Sequence, residues 1–263
     1  MQSIQIKAPK SVVLVDQERP IPNEGEVLLR LLYGGICGSD LSSYRGTFAY
    51  VTYPRIPGHE FSAEVIAING DAPHLKEGML VTANPYFNCG TCYACQNGLV
   101  NACMDNQTMG VQREGGFSEY ITLPIERVYD GKGLDAKTLA LIEPFAISYH
   151  GVKRAAPRAG ERVLIIGAGT IGIFAAHAAS LFGAKVWLAD IAEGKLELAK
   201  SLGFPQSILN KNEEYFAEQV AKVTDGAGFD VVVEAVGLGA TFLQSVEAAC
   251  HGGRVVQIGV GTQ

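Results

Sequence analysis

The sequence predicts an all-β first half followed by an α/β second half wound on a parallel sheet. Three observations carry this. Up to about residue 150, short runs rich in Val, Ile, Leu and Tyr alternate with Gly, Pro and Asn. After about residue 158, apolar strand-like runs alternate with helix-length runs. A G-x-G-x-x-G turn lies where the first of these later strands meets its helix. In order, VVLVD, EVLLRLLY, FSAEVIAIN, MLVTAN and FSEYITL read as strands of the first body. The segment SYHGVKRAAPRAGE joins the halves, which gives domains 1–150 and 151–263. The second domain runs RVLIIG (strand), TIGIFAAHAASLF (helix), KVWLAD (strand), EGKLELAKSLG (helix), SILN, a helix around EEYFAEQVAKV, FDVVVEAVG (strand), a helix around TFLQSVEAAC, and RVVQIGV (strand). Trp187 and its apolar neighbours in KVWLAD fit a parallel strand covered on both faces.

With 48% hydrophobic and 18% charged residues, the 263-residue chain has the composition of an ordinary globular protein. The net charge of −6 argues against nucleic acid or an anionic membrane as partner. No apolar run reaches the length of a membrane span, and the first residues lack a secretion-signal pattern, so a cytoplasmic location is expected. In that compartment clustered cysteines bind metal rather than pair as disulfides.

Cys89, Cys92, Cys95 and Cys103 follow C-x2-C-x2-C-x7-C within a lobe spanning 86–104. Four thiolates close a tetrahedral shell around Zn²⁺ and leave no position for substrate, so this zinc is expected to be structural. A sparser second set reads as a catalytic zinc site with one open position. Cys37 lies in the Gly-rich loop YGGICGSDL, and His59 and Glu60 in the turn PRIPGHEFS. The third ligand is Glu60 or Glu143 in LIEPFAIS, and Asp40 can accept the second N–H of His59 and set its tautomer. Each residue also has a plainer reading: a lone Cys is commonly a small buried hydrophobe, and a lone His an ordinary packed residue.

In the fingerprint Gly167-Ala168-Gly169-Thr170-Ile171-Gly172, Gly167 makes the tight turn and Gly169 lets the backbone approach a pyrophosphate. Gly172 lets helix and strand pack, and the helix N-terminus supplies free N–H groups for the phosphates. Asp190, 18 residues past Gly172, would accept the ribose hydroxyls and repel a 2′-phosphate, favouring NAD over NADP. The turns at Val236–Gly237 and Ile258–Gly259–Val260 end strands on the side of the sheet where ligands bind. His74, His177 and His251 are read as ordinary, His150, which follows the Glu143 motif, as a packing residue with the cleft as the alternative, and Cys250 as a buried helix residue.

The motifs GICGSD, GHEFSAEV, the four-cysteine lobe, GGFSEY and GAGTIG occur in the order of the medium-chain, zinc-dependent alcohol dehydrogenases, and the chain resembles that family almost end to end. The resemblance implies a GroES-like β-barrel domain followed by a Rossmann domain, with the active site in the cleft between them. It also implies two zinc ions per chain, NAD, a small-molecule alcohol or ketone substrate, and a full-length homodimer or homotetramer. The Glu-Pro of IEPFAISYHG, with YPRIPGHE and GVQREGGFSEY, resembles the polyol and sugar-acid branch, including sorbitol, threonine and galactonate-type dehydrogenases. Ser39 matches the hydroxyl that takes the alcohol proton in the family; without that match it reads as a turn residue. Two departures stand out. Ser42 occupies the position where many relatives carry a relay His, and RVVQIGVGTQ corresponds to the fifth Rossmann strand, so the sixth strand is expected to be missing and turnover by residues 1–263 alone to be low. Two other readings are a nucleotide-binding sensor that kept the fold, and a zinc-free NADPH quinone reductase; that branch lacks the four-cysteine lobe and the loop cysteine.

Overall fold

The computed structural model describes residues 1–261. The chain divides into two compact units, Met1–Glu143 and Pro144–Gln263.

The first unit opens with β1 (Gln2–Ala8) and β2 (Ser11–Asp16), paired antiparallel. β3 (Glu26–Gly35) leads to α1 (Gly38–Arg45), and β4 (Glu60–Asn69), β5 (Leu80–Ala83), β6 (Tyr86–Phe87) and α2 (Tyr93–Gln96) follow. β7 (Gln107–Thr108), β8 (Tyr120–Pro124), β9 (Val128–Asp130) and α3 (Ala136–Ala140) complete it. β8-β3-β4-β5-β9 form one antiparallel sheet, and β6 pairs with β7. Val27, Leu29, Phe61, Ala63, Val65 and Val81, at alternate positions of their strands, meet in one core.

α4 (Ile142–Ala155) contains the boundary between the units. Much of the segment SYHGVKRAAPRAGE, expected as a linker, is therefore helical; its Pro157 lies just past the helix end, where a missing N–H stops propagation. The second unit continues through β10 (Arg162–Ile166), α5 (Thr170–Leu181), β11 (Lys185–Asp190), α6 (Glu193–Ser201), β12 (Ser207–Leu209), α7 (Glu213–Thr224), β13 (Phe229–Glu234), α8 (Gly239–Glu247) and β14 (Ala249–Gln257). All pairings in the sheet β12-β11-β10-β13-β14 are parallel. Val163 and Ile165 enter one core and Leu164 and Ile166 the other, so both faces are covered and the strand reads as an unbroken apolar run. Trp187 packs edge-on against Phe229 at 5.5 Å. α8 ends at Glu247, and Cys250 is a half-buried residue of β14 rather than a buried helix residue. Expecting helix through SVEAAC missed that Ala249 already pairs with Phe229 of β13. No described helix is long and apolar enough to cross a membrane.

Candidate active site

Cys37 occupies the N-cap position of α1, one residue (Ile36) after β3 ends. His59 and Glu60 stand at the start of β4, and Glu60 pairs with Gly35 across the antiparallel ladder. A Cβ on Gly35 would run into the Glu60 side chain, so glycine lets the β3 backbone pass without displacing this carboxylate. One ligand atom each from Cys37, His59 and Glu60 lies within 4.8 Å of the others.

Asp40 holds the two ligand-bearing segments together. Its Oδ2 accepts the Cys37 N–H at 2.9 Å and its Oδ1 the Gly58 N–H at 3.3 Å. His59 Nδ1 stands 3.9 Å from Oδ1, beyond hydrogen-bond reach, and is buried with no partner. The expected Asp40–His59 hydrogen bond is thus not formed, because the carboxylate is engaged by backbone N–H groups on both flanks. Ser39 is half-buried in the first turn of α1, and its hydroxyl makes no hydrogen bond among the described residues. Glu143 is buried, and its Oε1 accepts the hydroxyl of Tyr86, which sequence reasoning did not single out.

The electrostatics of the cluster favour a cation. Burial opposes a charged imidazole at His59, but the hydrogen bond to Cys37 and the charges of Asp40, Cys37 and Glu143 outweigh it and raise its pKa to about 9. Burial raises Glu60 and Glu143 above the usual carboxylate range, against the pull of His59 on both. Soft sulfur from half-buried Cys37, with the buried imidazole of His59 and carboxylate of Glu60, forms a donor set suited to zinc.

The sulfurs of Cys89, Cys92, Cys95 and Cys103 also lie within 4.8 Å of one another. Cys92 and Cys103 are 3.9 Å apart, far from a disulfide. Four thiolates at about 2.3 Å from a zinc stand about 3.8 Å from each other, so the spacing fits the ion. The Cys89 N–H donates to Cys103 Sγ at 3.2 Å and the Cys92 N–H to Cys89 Sγ at 3.3 Å. N–H and hydroxyl donors from Thr91, with the Cys92 N–H, lower the Cys89 thiol to about 6, while Cys103 is raised to about 11 by burial and by sharing hydrogen bonds with Cys89 and Cys95, against the donated Cys89 N–H.

In the second unit Gly167 turns the chain at φ +104° between β10 and α5, and Gly169 caps the helix with open space around its Cα. A Cβ on Gly172 would lie 1.7 Å from the Gly167 carbonyl oxygen, so helix and turn meet backbone to backbone. Thr170 and Ile171 form the first turn of α5. Asp190, at the end of β11, is 8% exposed. Its Oδ2 accepts the Ala168 N–H at 2.8 Å and its Oδ1 the Ala192 N–H at 2.9 Å, with the Lys195 ammonium at 3.4 Å. It therefore braces the glycine turn, and Lys195 offsets part of the negative charge expected to repel a 2′-phosphate.

A second buried carboxylate, Glu234 (0% exposed), organises the next crest. Its Oε1 accepts the Val236 and Gly237 N–H groups at 2.9 and 2.8 Å and the Thr241 hydroxyl at 2.8 Å. Its backbone carbonyl accepts the N–H groups of Ile258 and Gly259. Glu234 thus ties together the turns carrying Val236 and Ile258, and a charged residue ending the apolar run FDVVV was the available sequence signal.

Residues 23–132 match the alcohol dehydrogenase GroES-like domain, and residues 170–263 the zinc-binding dehydrogenase family. L-galactonate-5-dehydrogenase of Escherichia coli (strain K12) is 37% identical over 261 residues, 99% of this chain and 76% of that protein. The chain belongs to the zinc-dependent alcohol dehydrogenases. Among solved members of this family, a zinc-binding dehydrogenase of Sinorhizobium meliloti 1021 bound to NADP superposes with a TM-score of 0.93 at 31% identity, covering 100% of this chain and 77% of that one. Galactitol-1-phosphate dehydrogenase from Escherichia coli superposes at 0.91 and 30% identity, covering 100% and 76%. The family assignment and its polyol and sugar-acid branch, read from the motifs, are borne out, and so is the order of a GroES-like domain before a Rossmann-like sheet. As a member of this family the chain is an oxidoreductase that uses zinc and a nicotinamide cofactor.

In the dehydrogenase Ser42 lies half-buried in α1 at the position where relay His was absent from the sequence. His177 packs edge-on against Phe204 at 4.8 Å, consistent with an ordinary role, whereas His150, expected to pack, is exposed on α4.

Proposed function

We propose that this dehydrogenase oxidises a secondary alcohol of a polyol or sugar acid. Cys37, His59 and Glu60 would hold a catalytic zinc, the cysteine quartet would hold a structural one, and NAD, bound at the glycine turn, would supply the hydride acceptor. The observation that carries the reading is the convergence of half-buried Cys37 with buried His59 and Glu60, the Nδ1 of His59 having no partner. Zinc bound there supplies Lewis-acid stabilisation of an alcohol oxygen.

The remaining roles belong to the chain. Ser39 receives the alcohol proton, and Ser42, on the same helix, hands it towards solvent. Asp40 keeps the Cys37 and His59 segments in register through its two backbone hydrogen bonds. The α5 N-terminus and the open face of Gly169 receive the pyrophosphate. Asp190, braced against the glycine turn, offers its remaining lone pairs to the ribose hydroxyls. The sugar-acid assignment rests on the similarity to L-galactonate-5-dehydrogenase.

Zinc analysis together with a screen of polyols and aldonic acids for NADH formation tests the reading. Two zinc ions per chain, one for each cluster, and higher kcat/KM with NAD than with NADP are expected. One zinc with bound nucleotide and no turnover would instead favour a sensor, and no zinc with NADPH oxidation a quinone reductase.

A further inference from the structure

Two carboxylates compete for one place beside Cys37 and His59, and the structure treats them differently. Glu60 is within ligand distance of Cys37 and His59. Glu143 is outside that set but close enough to act electrostatically on His59 and Glu60. The difference is Tyr86. Its hydroxyl donates to Glu143 Oε1, while the other Glu143 oxygen takes no hydrogen bond among the described residues.

Tyr86 is itself held from several sides. β6 pairs with β7, placing Tyr86 opposite Thr108. The Tyr86 N–H donates to Asn84 Oδ1 at 3.0 Å. The Arg127 guanidinium donates to the Tyr86 carbonyl oxygen and, at 3.0 Å, to Asn88 Oδ1, and it lies 5.1 Å from the centre of the Phe87 ring. These bonds fix the backbone from which the phenol projects, so its hydroxyl meets Glu143 from an anchored strand.

We propose that Tyr86 is a positioning residue that holds Glu143 out of the cation's ligand set. This leaves Glu60 as third ligand, and Glu143 as an outer carboxylate with one free oxygen for the substrate's hydroxyls. The proposal rests on the catalytic-cation reading above. Removing the phenol hydroxyl frees Glu143 to approach the cation, which adds a negatively charged donor and fills the position substrate needs.

The test is a double-mutant cycle on the full chain, with zinc filling the cysteine quartet and cobalt(II) titrated into the Cys37 site, read by affinity and by the visible cobalt spectrum. Tyr86→Phe keeps the ring and removes only the donor. It is expected to tighten cobalt binding by about threefold or more, a coupling of ordinary size for side chains in contact. It should also change the cobalt spectrum as a donor is added, and lower kcat. In a Glu143→Gln background the same Tyr86→Phe change should alter affinity and spectrum little, because the group it releases is gone. Equal effects of Tyr86→Phe in both backgrounds would show that Tyr86 serves packing alone and overturn the proposal, as would an unchanged spectrum in the single variant. If Cys37→Ser removes no cobalt from the parent, the catalytic-cation reading itself fails, and this proposal with it.

Discussion

The cysteine quartet and the Cys37–His59–Glu60 cluster sit in the same unit and are assembled in opposite ways. The quartet comes from one stretch of fifteen residues, uses one ligand type and is only half-buried. Its charge is managed locally, by N–H groups from its own loop. The second cluster draws on the end of β3 and the start of β4, with Glu143 from α4 close by. It mixes three ligand types, with His59 and Glu60 buried and Cys37 half-buried, and Asp40 bonds to the backbone of both its segments. A closed shell of like ligands suits holding a loop. An uneven, buried set suits chemistry, because burial strengthens every electrostatic interaction there and leaves a position to fill.

Breaking the second cluster should have the largest effect. Cys37→Ser is expected to lower kcat/KM on the order of 1,000-fold or more, since several kcal/mol of charge stabilisation is lost. Metal analysis should show that the quartet keeps its zinc; loss of both ions would mean the clusters are not independent. Asp40→Ala removes the acceptor shared by the Cys37 and Gly58 N–H groups, and should cost about 10–100-fold in metal affinity at that cluster. An affinity unchanged by this substitution would refute its role in holding the segments together.

pH separates the clusters next. In the metal-free chain His59, with its pKa raised to about 9, carries a proton at neutral pH that the cation must displace. Apparent metal affinity at the Cys37 cluster should therefore rise about tenfold per pH unit up to about 9 for this one proton. The same shift makes protonated His59 stabilise the metal-free fold. That contribution is fully present below about 6.5 and is lost as pH rises through about 9, which thermal melts of the metal-free protein across this window would detect.

The smallest effect on turnover is expected from Cys95→Ser. It opens the quartet and should lower Tm, at about 2–4 °C for each kcal/mol lost in a chain of this size. kcat per folded chain should fall less than for Asp40→Ala. A loss of kcat per folded chain as large as that of Asp40→Ala would erase the contrast between the two clusters.

How much of this was legible follows from how far apart the contributing residues lie in the chain. The quartet, the glycine turn and the covered strands are local patterns, and each was readable from spacing or period. α4 was not, because SYHGVKRAAP looks like a joining segment until its Pro157 is seen to follow a helix rather than interrupt a loop. Cys250 was placed in a helix because SVEAAC continues a helical run, whereas pairing with β13 claims it for a strand. Asp190 was identified by position, but its commitment to the Ala168 and Ala192 N–H groups depends on the turn folding back over the strand end.

The order of motifs along the chain was enough to establish the family, both halves of the fold and the residue types available for metal and nucleotide. Such motifs are short, and their chemistry is fixed by neighbours a few positions away. Glu60 pairs with Gly35, 25 positions before it, and Glu143 accepts the hydroxyl of Tyr86, 57 positions before it. Sequence spacing carries no trace of those encounters, because they exist only once antiparallel pairing and burial have brought distant backbone into contact.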